Sequence, residues 1–157
     1  MTFPMNDYRV LITGSREWDI PGAVESALMD IYVREIHSAQ GWRLVVVHGD
    51  CPTGADRMAR NWAMHMHELG WAVAEERHPA DWLGPCHEGF CEPGHRRAGR
   101  RGIPYCPAAG NWRNEQMAAR GARESHAFYK KGAANVGTDD CASRARAHGI
   151  PVERHNG

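Results

Sequence analysis

The chain carries no net charge: its 157 residues balance 19 Lys and Arg against 19 Asp and Glu. The whole molecule therefore has no electrostatic case for binding DNA or a membrane surface. It lacks any apolar run approaching the length of a bilayer span. Met1 to Asp7 lacks the basic stretch followed by an apolar one that marks a signal peptide. These absences point to the cytoplasm. Five cysteines are an odd number, unsuited to a disulfide scaffold, and a cytoplasm keeps thiols reduced. No Lys-Ser or Lys-Thr closes a glycine loop, which excludes a Walker A site, and the dinucleotide fingerprint G-x-G-x-x-G is also missing. There is no internal repeat, and the length suits one domain, residues 1–157.

What is present is an ordinary globular composition, 42% hydrophobic and 24% charged, with a repeated local pattern. Three strand-like runs each end in a glycine-containing loop that opens a helix. They are Val10-Leu11-Ile12-Thr13-Gly14-Ser15-Arg16, Val45-Val46-Val47-His48-Gly49-Asp50, and Ala127-Phe128-Tyr129 leading to Gly137-Thr138. In a parallel α/β sheet such ends share one edge, where ligands bind at the reversal of strand order. Helix N-termini point there too, with free N–H groups and the positive end of the dipole. The pattern predicts a pocket for an anionic ligand, a nucleotide or a derivative of one.

Periodicity supplies the elements between these loops. Tyr8–Thr13 reads as a central strand. Asp19 can cap the helix that follows, with Pro21 in its first turn and Val24, Ala27, Leu28, Ile31 and Ile36 at helical spacing. Arg43–His48 reads as a strand buried on both faces. A helix from about Gly54 to Leu69 ends at Gly70. Trp71–Glu75 is a weaker strand. Order resumes at Asn111 with a helix to about Arg120, then a strand at Ser125–Tyr129, a helix at Thr138–His148 and a short strand at Ile150–Glu153. The alternation predicts an α/β fold, a Rossmann-like doubly wound parallel sheet of about five strands. The expected strand order is 3-2-1-4-5, with the switch point between strands 1 and 4.

Each glycine loop admits a structural and a functional reading. Gly14 lets backbone approach a phosphate, and Ser15 and Arg16 add donors. Around Gly49 and Gly54, Asp50 or Thr53 can cap the helix and Asp56 can favour its dipole. The same residues can shape a pocket in which an Asp meets a sugar hydroxyl. Cys51 reads as a small filler, with no base beside it in sequence. Gly137 and Thr138 form the best phosphate cradle. Arg113 and Asn114, read as opening the third helix, are either a solvated Arg with a capping Asn or a phosphate contact.

Taken together, the order of motifs resembles a known family. These are Leu11-Ile12-Thr13-Gly14-Ser15-Arg16, His48-Gly49-Asp50-Cys51-Pro52-x-Gly54-Ala55-Asp56, His78-Pro79-Ala80-Asp81-Trp82, Ala109-Gly110-x-x-Arg113-Asn114-x-x-Met117 and Gly137-Thr138. The set resembles the YspA-like branch of the SLOG superfamily, which also holds the LOG phosphoribohydrolases and the Smf/DprA proteins. The resemblance implies a Rossmann-like fold binding nucleotide-derived molecules such as ADP-ribose- or NAD-like compounds, and hints at a homodimer. It also implies a catalytic alternative, cleavage of the N-glycosidic bond of a nucleoside monophosphate by Arg113 and Asp140. Arg113 and Met117 match the LOG Arg-Lys-x-x-Met motif, with Asn114 in place of Lys. Gly137, Thr138 and Asp140 match part of its Pro-Gly-Gly-x-Gly-Thr-x-Glu-Glu motif. Ala133, Ala134 and Asn135 replace Pro-Gly-Gly, and Cys141 replaces the second Glu. That loss removes one carboxylate able to stabilise an oxocarbenium-like state. Asp140, Asp56 and Asp50 are the carboxylates able to substitute.

Residues 83–109 break the pattern as an insert with neither helical nor strand period. Cys86, Cys91, His95 and Cys106 in it read C-x4-C-x3-H-x10-C, a sufficient tetrahedral set for a structural zinc ion. His87 is an alternative to His95. A segment this long without a core of its own is held by something or is mobile. The other readings are a mobile reduced loop and a disulfide. Arg96, Arg97, Arg100 and Arg101 read first as a solvated face, next as phosphate contacts over the ligand edge, and last as a nucleic-acid surface, because no aromatics interleave them.

Overall fold

The computed structural model describes residues 5–157, so part of the Met1–Asp7 segment lies outside the described residues. The chain runs β1 (Asn6–Gly14), α1 (Pro21–Ile31), β2 (Trp42–His48), α2 (Gly54–Glu68), β3 (Val73–Arg77), then β4 (Arg97–Ala98) and β5 (Pro104–Tyr105) within the insert. It continues as α3 (Ala109–Ala119), β6 (Glu124–Tyr129), α4 (Val136–Ala147) and β7 (Val152–Asn156). A π-helical segment, Tyr32–Ile36, extends α1.

The main sheet has the order β3-β2-β1-β6-β7, all parallel. This is the expected 3-2-1-4-5 order, with the switch point between β1 and β6. Strand alternation sorts the core into two layers. Val10, Ile12, Leu44, Val46 and Phe128 face the α1 and α2 side with Val24, Leu28 and Trp62. Leu11, Val45 and Val47 face the other side with Met117 of α3 and Cys141 and Ala145 of α4. Each large aliphatic side chain so buried contributes about 1.5–3 kcal/mol.

Several boundaries move for identifiable reasons. Asp19 caps nothing; it accepts from Lys130 Nζ at 2.9 Å, and Ile20 holds the N-cap position without a side-chain bond. The third and last strands begin two residues later than periodicity suggests. The Trp71 N–H still donates to Met66 O at 3.0 Å, and the Ile150 N–H to Ala145 O at 2.9 Å. Both are closing bonds of the preceding helix, made as the chain turns through Gly70 and Gly149. Helix α3 starts at Ala109 rather than Asn111, so Arg113 and Asn114 lie in its second turn and do not open it. The insert is not shapeless: β4 and β5 pair as an antiparallel hairpin around a single 3-10 turn. Among the described residues no helix is long and apolar enough to cross a membrane.

Candidate functional site

A cavity of about 450 Å³ opens at the carboxyl ends of β1, β2 and β6. Three helices begin around it, and none has a side-chain cap at its N-terminus. At α4 the reason is visible. Asn135, at φ 52° and ψ 22°, turns its side chain back into its own loop. Its Oδ1 accepts from Lys130 N at 3.0 Å, and its Nδ2 donates to Lys130 O and Ala133 O, both at 2.9 Å. The 130–135 loop is thereby fixed, and the first turn of α4 keeps its N–H groups for the cavity.

Gly14, Ser15, Arg16, Gly49, Asp56, Arg113, Asn114, Gly137 and Thr138 all line this cavity. Their detailed roles differ from those read in sequence. Gly14 is small because a Cβ there would overlap Ala55 and come within 2.9 Å of Phe128 Cβ. It lets strand, helix and neighbouring strand close together. Gly49 is small because a Cβ would sit 2.5 Å from Arg113 Nη1 and 3.0 Å from Asp56 Oδ2. Gly137 differs again: a Cβ there would meet nothing within 4 Å.

Arg113 is the buried cation of the site, 9% exposed. Its Nη1 donates to Gly49 O and, at 3.1 Å, to His78 O, while its Nε donates to Asn114 Oδ1 at 2.9 Å. Its Nη2 makes no hydrogen bond and no carboxylate pairs with it among the described residues. Asp56 flanks the same Gly49 without bonding Arg113 directly. A buried guanidinium with no direct salt bridge is costly, and an anion in the cavity would offset that cost. Asp56, 5% exposed in the first turn of α2, is the buried carboxylate of the cavity. Its Oδ2 accepts from the Cys51 N–H at 3.3 Å. Burial first, and Asp56 next, raise the pKa of the Cys51 thiol, so it stays protonated.

Three expected site residues stand elsewhere. Asp140 does not line the cavity: its Oδ2 accepts from Asn114 Nδ2 at 3.0 Å and from Arg144 Nε at 2.9 Å. It positions Asn114 from behind. Asp50 also lies outside, at φ 54°, with its N–H donating to His48 Nδ1 at 3.1 Å. Gly54, at φ +74°, faces the backbone of Ser15 and Arg16, where any Cβ would collide. It holds the first loop against α2 without reaching the cavity. Thr53 caps nothing; its Oγ1 donates to Arg16 O at 2.9 Å.

Trp82 is the one aromatic lining residue among the described residues, and sequence reasoning gave it no role. It is 38% exposed, and its ring lies 3.2 Å from where a Gly110 Cβ would sit. Its carbonyl accepts from the Cys106 N–H at 2.8 Å, which ties it to the insert. Its signal in the sequence is its place at the end of the His78-Pro79-Ala80-Asp81-Trp82 motif.

In the insert, ligand atoms of Cys86, Cys91, His95 and Cys106 all lie within 4.8 Å of one another, and this Cys3His cluster can hold a metal ion. Cys86 Sγ and Cys106 Sγ stand 3.1 and 3.3 Å from His95 Nε2, and Cys91 Sγ is 3.7 Å from Cys106 Sγ. A tetrahedral ion with thiolate bonds near 2.3 Å separates its sulfurs by about 3.8 Å. Burial raises the Cys86 thiol, but the Arg96 guanidinium and hydrogen bonds from Cys106 and Cys91 together outweigh it, and the net shift is downward. His87 is not part of the set; its ring stacks on Trp112 at 4.1 Å. The cysteines are free, without a disulfide. Arg96 donates to Gly84 O at 2.6 Å and Pro104 O at 3.2 Å, bracing the insert. None of Arg96, Arg97, Arg100 or Arg101 lines the cavity.

Comparison with known proteins shows the family. The model of the YspA, cpYpsA-related SLOG family matches residues 8–84, which hold β1 to β3, the first two glycine loops and Trp82. The Gene 61 protein of Mycobacterium phage D29 is 38% identical over 144 residues, 92% of this chain and 93% of that protein. The chain belongs to the YspA, cpYpsA-related SLOG family. No solved structure matches it. The part matched to the SLOG family ends just before the first cysteine of the insert, Cys86.

Proposed function

We propose that this SLOG protein binds a nucleotide-derived small molecule, ADP-ribose-like, NAD-like or a nucleoside phosphate, in the cavity at the switch point. The observation that carries the reading is the pairing of the uncapped α4 N-terminus with Arg113, a buried cation with no direct carboxylate partner among the described residues. The N–H groups of Gly137 and Thr138 take a phosphate, and Arg113 Nη2 takes a second oxygen of the same or a neighbouring phosphate. Asp56 accepts from a sugar hydroxyl. Trp82 offers the base a ring to stack on. Gly14, Ser15 and Arg16 close the side of β1. Zinc in the Cys3His cluster holds the insert, and so Trp82, beside the pocket. The exposed arginines of the insert are a solvated face, and nucleic acid is the weaker partner.

The test is to denature freshly purified protein and identify what it releases by mass spectrometry, with elemental analysis of the same sample. The expected result is a nucleotide-type mass and about one zinc per chain. Release of no such mass, together with no binding across a nucleotide panel, would contradict the assignment.

A second reading, a nucleotide N-glycoside hydrolase, draws support from one feature: a buried carboxylate, Asp56, lies in the same cavity as Arg113. Such a carboxylate can stabilise a developing oxocarbenium ion. This reading predicts free base released from a nucleoside monophosphate, with turnover lost in Asp56→Asn and retained in Asp140→Asn. No base released from any monophosphate excludes it.

A further inference from the structure

The far edge of the sheet holds a second cluster that the nucleotide cavity does not use. His126 of β6 lies opposite Glu153 of β7 in the strand register. His155 is two residues beyond Glu153, so strand alternation returns it to the same face. Phe128, two residues beyond His126, packs on Trp18 of the α1 and α2 layer, which identifies that face. The Cys3His insert packs on the opposite side, through Trp112 of α3 and Arg144 of α4.

Three ligand atoms converge there, all within 4.8 Å of one another. His126 Nδ1 is 2.8 Å from His155 Nε2 and 3.6 Å from Glu153 Oε2. A tetrahedral ion bound to nitrogen and oxygen at about 2.0–2.1 Å spaces its ligand atoms about 3.3 Å apart. The observed separations bracket that value. His126 is also prepared for the task. Its Nε2 bonds Glu124 Oε1 at 2.8 Å, which places the ring hydrogen on Nε2 and leaves a lone pair on Nδ1. Glu124 is itself fixed by Tyr8 Oη at 2.6 Å and Arg34 Nη2 at 3.1 Å. Phe128 stacks on the His155 ring at 4.5 Å and 11°, which holds that imidazole in plane. A histidine ligand backed by a fixed carboxylate is the arrangement that metal sites use to orient imidazole.

We infer that His126, His155 and Glu153 form a second metal site, for a divalent transition ion such as zinc, with Glu124 orienting His126. Two imidazoles and a carboxylate favour zinc, cobalt or nickel over calcium or magnesium. In the ion-free protein the two imidazoles share one hydrogen. On binding, the ion takes its place, and His155 carries its hydrogen on Nδ1. The side chain of Glu153 is 67% exposed, so the fourth position faces solvent and takes water or an exogenous ligand.

Cobalt(II) distinguishes this site from the insert. A Cys3His site gives intense thiolate-to-cobalt charge transfer, while nitrogen and oxygen ligands give only weak d–d bands. The experiment titrates cobalt into tag-free full-length protein and into His155→Asn and Glu153→Gln, with circular dichroism as the folding control. Wild type is expected to bind a cobalt ion that adds d–d bands without thiolate charge transfer. Each variant is expected to hold that ion at least about tenfold more weakly, with thiolate bands unchanged. Absence of such an ion from wild type, or its retention at equal affinity in both variants, overturns the proposal.

Discussion

At the scale of single residues, three glycines of similar appearance do three different jobs, and mutation separates them. Gly137 borders empty space, so Gly137→Ala should leave the thermal midpoint within a few degrees of wild type, the helix preference for Ala offsetting any loss. The added methyl would stand where a phosphate approaches, and nucleotide affinity should fall about tenfold. Gly49→Ala should instead cost about 1–3 kcal/mol of stability in denaturant melts, because its Cβ would drive into Arg113 and Asp56. Local sequence flagged all three glycines, but not which were spaced for packing and which for ligand. That distinction depends on residues far away in the chain: Phe128 for Gly14, and Arg113 for Gly49. Asp140 likewise takes its place from a distant residue, Asn114. Its motif position suggested the cavity, while Arg144 and Asn114 hold it behind.

Elements were more legible than their ends. Every main strand and helix follows from periodicity, because burial on one face or both imposes it. The starts of β3 and β7 were not legible, because the residue after each helix-ending glycine belongs to the helix's last bond. The insert, without a period, revealed only a Cys3His set able to hold a metal ion. On the proposed zinc reading its order depends on that ion, which makes metal removal an element-scale test. Cys106 lies just before α3 and donates its N–H to Trp82 O. Chelation should therefore release Trp82, red-shifting its fluorescence, and weaken nucleotide binding while far-UV dichroism of the sheet and helices persists. Unchanged emission after complete metal removal would separate the insert from the cavity. A second element-scale bond staples β1 to β3. Arg9 Nη1 lies 2.5 Å from Glu76 Oε1, and its hydrogen bond holds Glu76 down from its usual 4.5 to about 2. A depressed carboxylate stabilises the fold above its unfolded pKa and loses that contribution as pH falls through the folded one. Stability should thus drain between about pH 4.5 and 2. Arg9→Gln should lower the denaturant midpoint at pH 7 and flatten that acid loss.

For the whole molecule, the doubly wound sheet gathers β1, β2 and β6 ends at one switch point, and this placement turns scattered motifs into one cavity. A neutral chain thereby gathers Arg113 and three helix starts in one place, where, on the proposed function, an anion would be held by geometry and not by bulk charge. On the proposed function, this arrangement recognises the phosphates of a nucleotide derivative. Calorimetric titration with ADP-ribose, NAD and AMP, in wild type and Gly137→Ala side by side, tests it most directly. Saturable one-site binding of at least one of the three, weakened about tenfold in the variant at unchanged stability, is the predicted result. No binding of any of them to wild type, or equal affinity in the two proteins, would contradict it.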